Sequence, residues 1–110
     1  MAAGIHALVC PEHFREGLRF GLFFLFIALV QLALGGLVLR GAPRWIGWSI
    51  VVNAGTALLW AVVRTQGLPL GLAEVEPIGR IDLAATAAEV VAVAAGLLLL
   101  ARRRPPVAVA

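Results

Sequence analysis

Three long apolar stretches set the pattern of this chain. Residues 20–39 are broken only by Gln31, residues 45–63 by Ser49, Asn53 and Thr56, and residues 83–101 by Thr86 and Glu89. About 20 consecutive apolar residues are enough to cross a bilayer's hydrocarbon core. Backbone polar groups there must be satisfied within the segment, so each stretch is predicted to be a helix. The predicted spans are 17–39, 44–64 and 80–102, in a single transmembrane domain over 1–110. The expected fold is all-α: an integral membrane three-helix bundle, assembled as an oligomer.

The polar interruptions are not scattered. A helix rises about 1.5 Å per residue, so distance from the flanking arginines measures depth. Gln31 lies nine positions before Arg40, and Asn53 nine positions after Arg44. Both fall about 13–14 Å from that boundary, near mid-membrane. Glu89 and Thr56 fall at roughly 20 and 18 Å. Three helices thus contribute to one polar layer. Helical spacing also groups Asn53, Thr56, Trp60 and Arg64 on one face of the second span. It groups Asp82, Thr86, Glu89 and Gly96 on the third, and His13, Gly17, Phe20, Phe24, Ile27 and Gln31 on the first, with Glu16 at the edge. Turning these faces together brings His13, Glu16, Arg64 and Asp82 to one mouth, above Glu89.

Glu89 is the costliest of these positions. A carboxylate at the centre of a span costs roughly 2.5–3.5 kcal/mol on insertion scales, so it needs a partner, a proton or a wet cavity. Each polar residue also has a plainer role open to it. Arg64 either snorkels to headgroups or pairs with Glu89, Asp82 or Glu16. Gln31 and Asn53 serve equally as interhelical hydrogen-bond glue. Trp45 and Trp48 fit an interfacial aromatic belt, and Trp60 fits either a belt or the polar site.

Connections follow from the breakers. Gly41, Ala42 and Pro43 make a tight turn, so the first two spans form an antiparallel hairpin. The outer loop, 65–79, carries Gly67, Pro69, Gly71, Pro77 and Gly79, which break helices. Pro105 and Pro106 end the third helix, leaving a tail over 105–110. The apolar run after Arg15 and Arg19 is about twice the usual signal-peptide core, so cleavage is not expected.

Composition excludes the soluble classes. Hydrophobic residues make up 62% of the 110 and charged residues 14%, too few to clothe a soluble surface. Mean hydropathy is +1.00. The pI near 11.1 would otherwise point to nucleic acid. Here the basic residues are arginines flanking apolar spans, which headgroups and topology explain better. Arg40, Arg44, Arg102, Arg103 and Arg104 fall on one side without an acid. Arg15, Arg19, Arg64 and Arg80 share the other with Glu12, Glu16, Glu74, Glu76 and Asp82. The positive-inside rule then places the N-terminus outside and the C-terminus in the cytoplasm of a multi-pass cell-membrane protein.

Candidate chemistry is sparse. Cys10 is the one cysteine, so no intrachain disulfide is possible. His6, Cys10 and His13 are spaced four and three apart and share a face if the helix continues; imidazole and thiolate suit a transition metal such as Cu, Zn or Fe. Pro11 disfavours helix at Cys10. A wider metal set recruits His13, Glu16 and Asp82, with Cys10 and His6 optional. No nucleophile triad, phosphate loop or dinucleotide fingerprint is present, so an enzyme is the less expected reading.

One further pattern runs through most of the chain. Trp60, Arg64, Thr65, Gly67, Leu68, Pro69 and Gly71 are followed by Glu76, Pro77, Gly79, Asp82 and Glu89. Glu12, His13, Gly21 and Gln31 precede them. This arrangement resembles small, uncharacterised actinobacterial three-span membrane proteins with an R-T-x-G-L-P-x-G segment after span two. The resemblance implies a recurrent polar stripe and no particular activity. The function expected from the residues is an accessory or homo-oligomeric membrane component with an outward-facing polar site. Its partners are the bilayer and a larger membrane complex or further copies of itself. The alternatives are ion, proton or small-solute passage through Glu89, and metal binding at the outer mouth.

Overall fold

The computed structural model describes residues 1–67, 75 and 78–103. Most of the expected outer loop (68–74 and 76–77), Arg104 and the 105–110 tail lie outside the described residues. Among the described residues the chain is all-α, with four helices: α1 Ala2–Glu16, α2 Leu18–Leu39, α3 Arg44–Gln66 and α4 Arg80–Arg103. The last three are long and apolar enough to cross a membrane.

The three-helix bundle is corrected to four helices. The sequence reading runs one helical face from His13 through Gly17 to Gln31. Instead, the chain reverses at Gly17, whose backbone is extended (φ 165, ψ 147). Helix α1 folds back along α2, and both His6 and His13 reach the Phe24 ring, with centroids 5.6 and 3.8 Å away. The expected break before Pro11 does not occur either. Pro11 sits within α1 on its exposed side. A proline there forfeits one backbone hydrogen bond. The buried face of α1, made by Ala2, His6 and Cys10, runs through that position and holds the helix together by tertiary packing.

Helix α1 packs on α2 and α4, and α3 packs on the same two. Among the described residues, the Cα traces of α1 and α3 nowhere come within 8 Å, nor do those of α2 and α4. The four helices therefore form a ring with successive members antiparallel. Small residues set its closest approaches. A Cβ on Gly21 would lie 2.3 Å from the Phe14 ring, so α1 meets α2 where only glycine fits. A Cβ on Gly96 would lie 2.7 Å from Ile50, at the α3–α4 contact. Such small-residue contacts let backbones approach without a solvent-driven core.

The α2–α3 turn is a Schellman motif. Ala42 N–H donates to Leu37 O at 3.2 Å and Gly41 N–H to Val38 O at 3.0 Å. Gly41 takes the left-handed conformation (φ 79) that this motif requires. At α4, Asp82 accepts the Gly79 N–H at 3.2 Å and so caps the first turn.

The ring is apolar outside and polar inside. Only 17%, 11% and 22% of the apolar windows of α2, α3 and α4 is buried within the fold, so most of that surface faces outward. Phe26, Leu29, Leu32, Leu58, Val91 and Leu98 are all exposed. The buried side chains include four polar ones: His6, Gln31, Asn53 and Glu89. Arg40, Arg44, Arg102 and Arg103 crowd one end of the bundle. Glu12, Arg15, Glu16, Arg19, Arg64, Arg80 and Asp82 lie at the other.

Candidate functional site

Each helix sends one polar side chain to the centre of the ring. Glu89 from α4 is 1% exposed, and His6, Gln31 and Asn53 from the other three are 5%, 7% and 5% exposed. Their hydrogen bonds join all four helices. Asn53 Nδ2 donates to the Ser49 carbonyl at 2.8 Å. Gln31 Nε2 donates to Asn53 Oδ1 at 3.3 Å and to Glu89 Oε1 at 3.1 Å. His6 Nε2 meets the same Glu89 oxygen at 2.9 Å.

This chain of bonds fixes the amide orientations. Asn53 must present nitrogen to Ser49, so its oxygen faces Gln31. Gln31 must then present nitrogen to both Asn53 and Glu89, because the reverse would set oxygen against oxygen. The network therefore points its donors at Glu89. Both hydrogen bonds that Glu89 makes with the described residues fall on Oε1. Oε2 accepts none from them. A buried carboxylate with a single partnered oxygen is an incomplete site, since desolvating a charge is costly unless its lone pairs are satisfied.

Above this layer the ring encloses a cavity of about 330 Å³. All four helices line it, because neither diagonal pair of backbones closes across the centre. Its walls are Phe20, Phe23, Phe24, Leu59, Trp60 and Val63, and Glu89 lies among its lining residues with His6, Thr56 and Thr86. The Thr56 hydroxyl donates back to the Val52 carbonyl at 2.8 Å, which ties it to its own helix. The mouth carries an ion pair and a histidine–carboxylate contact. Arg64 donates to Asp82 Oδ2 at 2.7 Å, and His13 Nδ1 meets Glu16 Oε2 at 2.7 Å. His13 also stacks on Phe24 with the rings 5° from parallel.

The structure thus gathers Glu89, Asn53 and Gln31 in one layer, with Thr56 and Trp60 on the wall above. Arg64, Asp82, His13 and Glu16 line the same cavity nearer its mouth. The residues expected for a metal are divided. His6 bonds Glu89, His13 bonds Glu16, and Asp82 bonds Arg64. Cys10 is buried on α1. Among the described residues, no group of three His, Cys, Asp or Glu side chains could hold a metal ion.

His6 is the network member that sequence reasoning assigns elsewhere, to the metal set alone. Its signal is nonetheless present. It is the one ionisable side chain in residues 1–9, and Glu89 is the one carboxylate inside an apolar run. Buried charges are paired, so the two lone groups are natural partners. Comparison with family models, with curated proteins and with solved structures finds no match.

Proposed function

We propose that this chain is a multi-pass membrane protein that holds a small solute in an outward-facing cavity. In this reading α2, α3 and α4 span the bilayer. Helix α1, too short to span at 15 residues, runs outward from Ala2 within the membrane to Glu16 at the outer face, a reading that replaces the expected outside N-terminus. The arginine-rich end faces the cytoplasm under the positive-inside rule. The protein acts without catalysis, as a homo-oligomer or as an accessory subunit of a larger membrane complex.

One observation carries the reading: Glu89, 1% exposed, lines a cavity built by all four helices. A concave, largely apolar space with a few convergent polar groups is the usual form of a binding site. Binding fits this geometry better than passage. Gln31 and Asn53 bridge α2 and α3 at the depth of Glu89, and the buried Ile46 and the Gly96–Ile50 contact close the bundle beyond it.

Thiol labelling tests the arrangement. In a Cys10→Ala background, Thr86→Cys is expected to react with a membrane-impermeant reagent added outside. Ala42→Cys is expected to react only from the cytoplasmic side. An inert Thr86→Cys, or Ala42→Cys labelled from outside, would reject the proposal.

A further inference from the structure

We propose that the cavity binds a small protonated amine with an apolar or aryl body, its ammonium seated on Glu89. This rests on the outward-facing cavity above and names its ligand class.

Three features select that chemistry. The first is charge. Glu89 is the buried carboxylate of the site, while the cations around it are engaged: Arg64 is bonded to Asp82 and Arg19 lies over the Phe20 ring. An anion would meet the Glu89 carboxylate without a free counter-charge. The second is the hydrogen-bond inventory. Glu89 Oε1 is occupied by Gln31 and His6, whereas Oε2 accepts nothing from the described residues. That oxygen calls for an N–H donor, which a primary ammonium has and a quaternary ammonium lacks. The third is the wall. Phe20, Phe23, Phe24 and Trp60 offer apolar surface and ring faces, which attract cations and pack against hydrocarbon. A volume near 330 Å³ lies at the lower end for ligand pockets, so the ligand is small. A hard metal ion fits poorly, because it would find one carboxylate where such ions take several oxygen ligands.

His6 holds the other oxygen. Its ring nitrogen is 2.9 Å from Glu89 Oε1, which leaves Oε2 for the ammonium. The other titratable or charged groups lining the cavity are His13 and Glu16 from α1, Arg19 from α2, Arg64 from α3 and Asp82 from α4.

The test uses the protein in nanodiscs, with Trp45→Phe and Trp48→Phe leaving Trp60 as reporter. Phenethylammonium should give a saturable fluorescence change. Phenethyl alcohol and phenethyltrimethylammonium should bind weakly or not at all. Glu89→Gln should weaken phenethylammonium by at least about tenfold, the usual worth of a hydrogen bond to a charged group. Thr86→Leu, which narrows the cavity and leaves the network intact, should also weaken it; this variant decides the matter if Glu89→Gln does not fold. Equal binding of the alcohol and the ammonium overturns the proposal, as does unchanged affinity in either variant. Thr86→Cys labelling separates the two levels. A labelled site that binds no phenethylammonium refutes the ligand and keeps the cavity. An unlabelled site refutes the cavity itself.

Discussion

His6 Nε2 lies 2.9 Å from Glu89 Oε1, although 83 positions separate the two residues. The contact joins α1 to α4 and closes the ring of helices. Both side chains are almost fully buried. Removing one side leaves a buried polar group without its hydrogen-bond partner, at a cost of about 1–3 kcal/mol. His6→Ala and Glu89→Leu are each expected to fall near that range in thermal or denaturant unfolding. The double variant His6→Ala/Glu89→Leu should cost clearly less than the sum. Additive losses would show that the two do not act as a pair.

The α1–α2 contact depends on Gly21. A side chain there would overlap the Phe14 ring, and overpacking of this kind costs about 1–3 kcal/mol. Gly21→Val should therefore loosen α1 and expose Cys10, which is 7% accessible in the intact fold. Alkylation of Cys10 should quicken in Gly21→Val and slow again when Phe14→Ala is added. An unchanged alkylation rate would mean that α1 is held without this contact.

Asp82 makes two bonds at once, accepting from the Gly79 N–H and from Arg64. Asp82→Ala loses both the cap and the ion pair, and a cap alone is worth about 1 kcal/mol. Asp82→Asn keeps an acceptor for Gly79 and should cost less. Thermal unfolding of the two variants side by side checks the order, and equal losses would assign the whole effect to the charge.

Much of this arrangement is legible in the sequence, for a simple reason. Long apolar helices convert residue counts into depth, so Gln31, Asn53 and Glu89 read as one layer, and hydrogen bonds join them. The turn at Gly41 is legible because its motif demands a residue at positive φ. Helix α1 is harder to read. Its segment is too short to register as a span, Pro11 argues against helix, and the charges at 12–19 look like the flank of the next span. The reversal at Gly17 uses extended backbone, which leaves no distinctive residue pattern. His6 consequently reads as remote from Glu89, when the reversal carries it to the centre.

Ring closure by the first helix and the last has a consequence for synthesis. Gln31 and Asn53 are made before Glu89, so two of its neighbours are in place when α4 emerges. His6 is made first and must wait longest. Until α4 arrives, α1 carries a buried-type histidine without its acid. The ring therefore stays open on one side until α4 is made, and docking of α4 against α3 and α1 is the event that closes it.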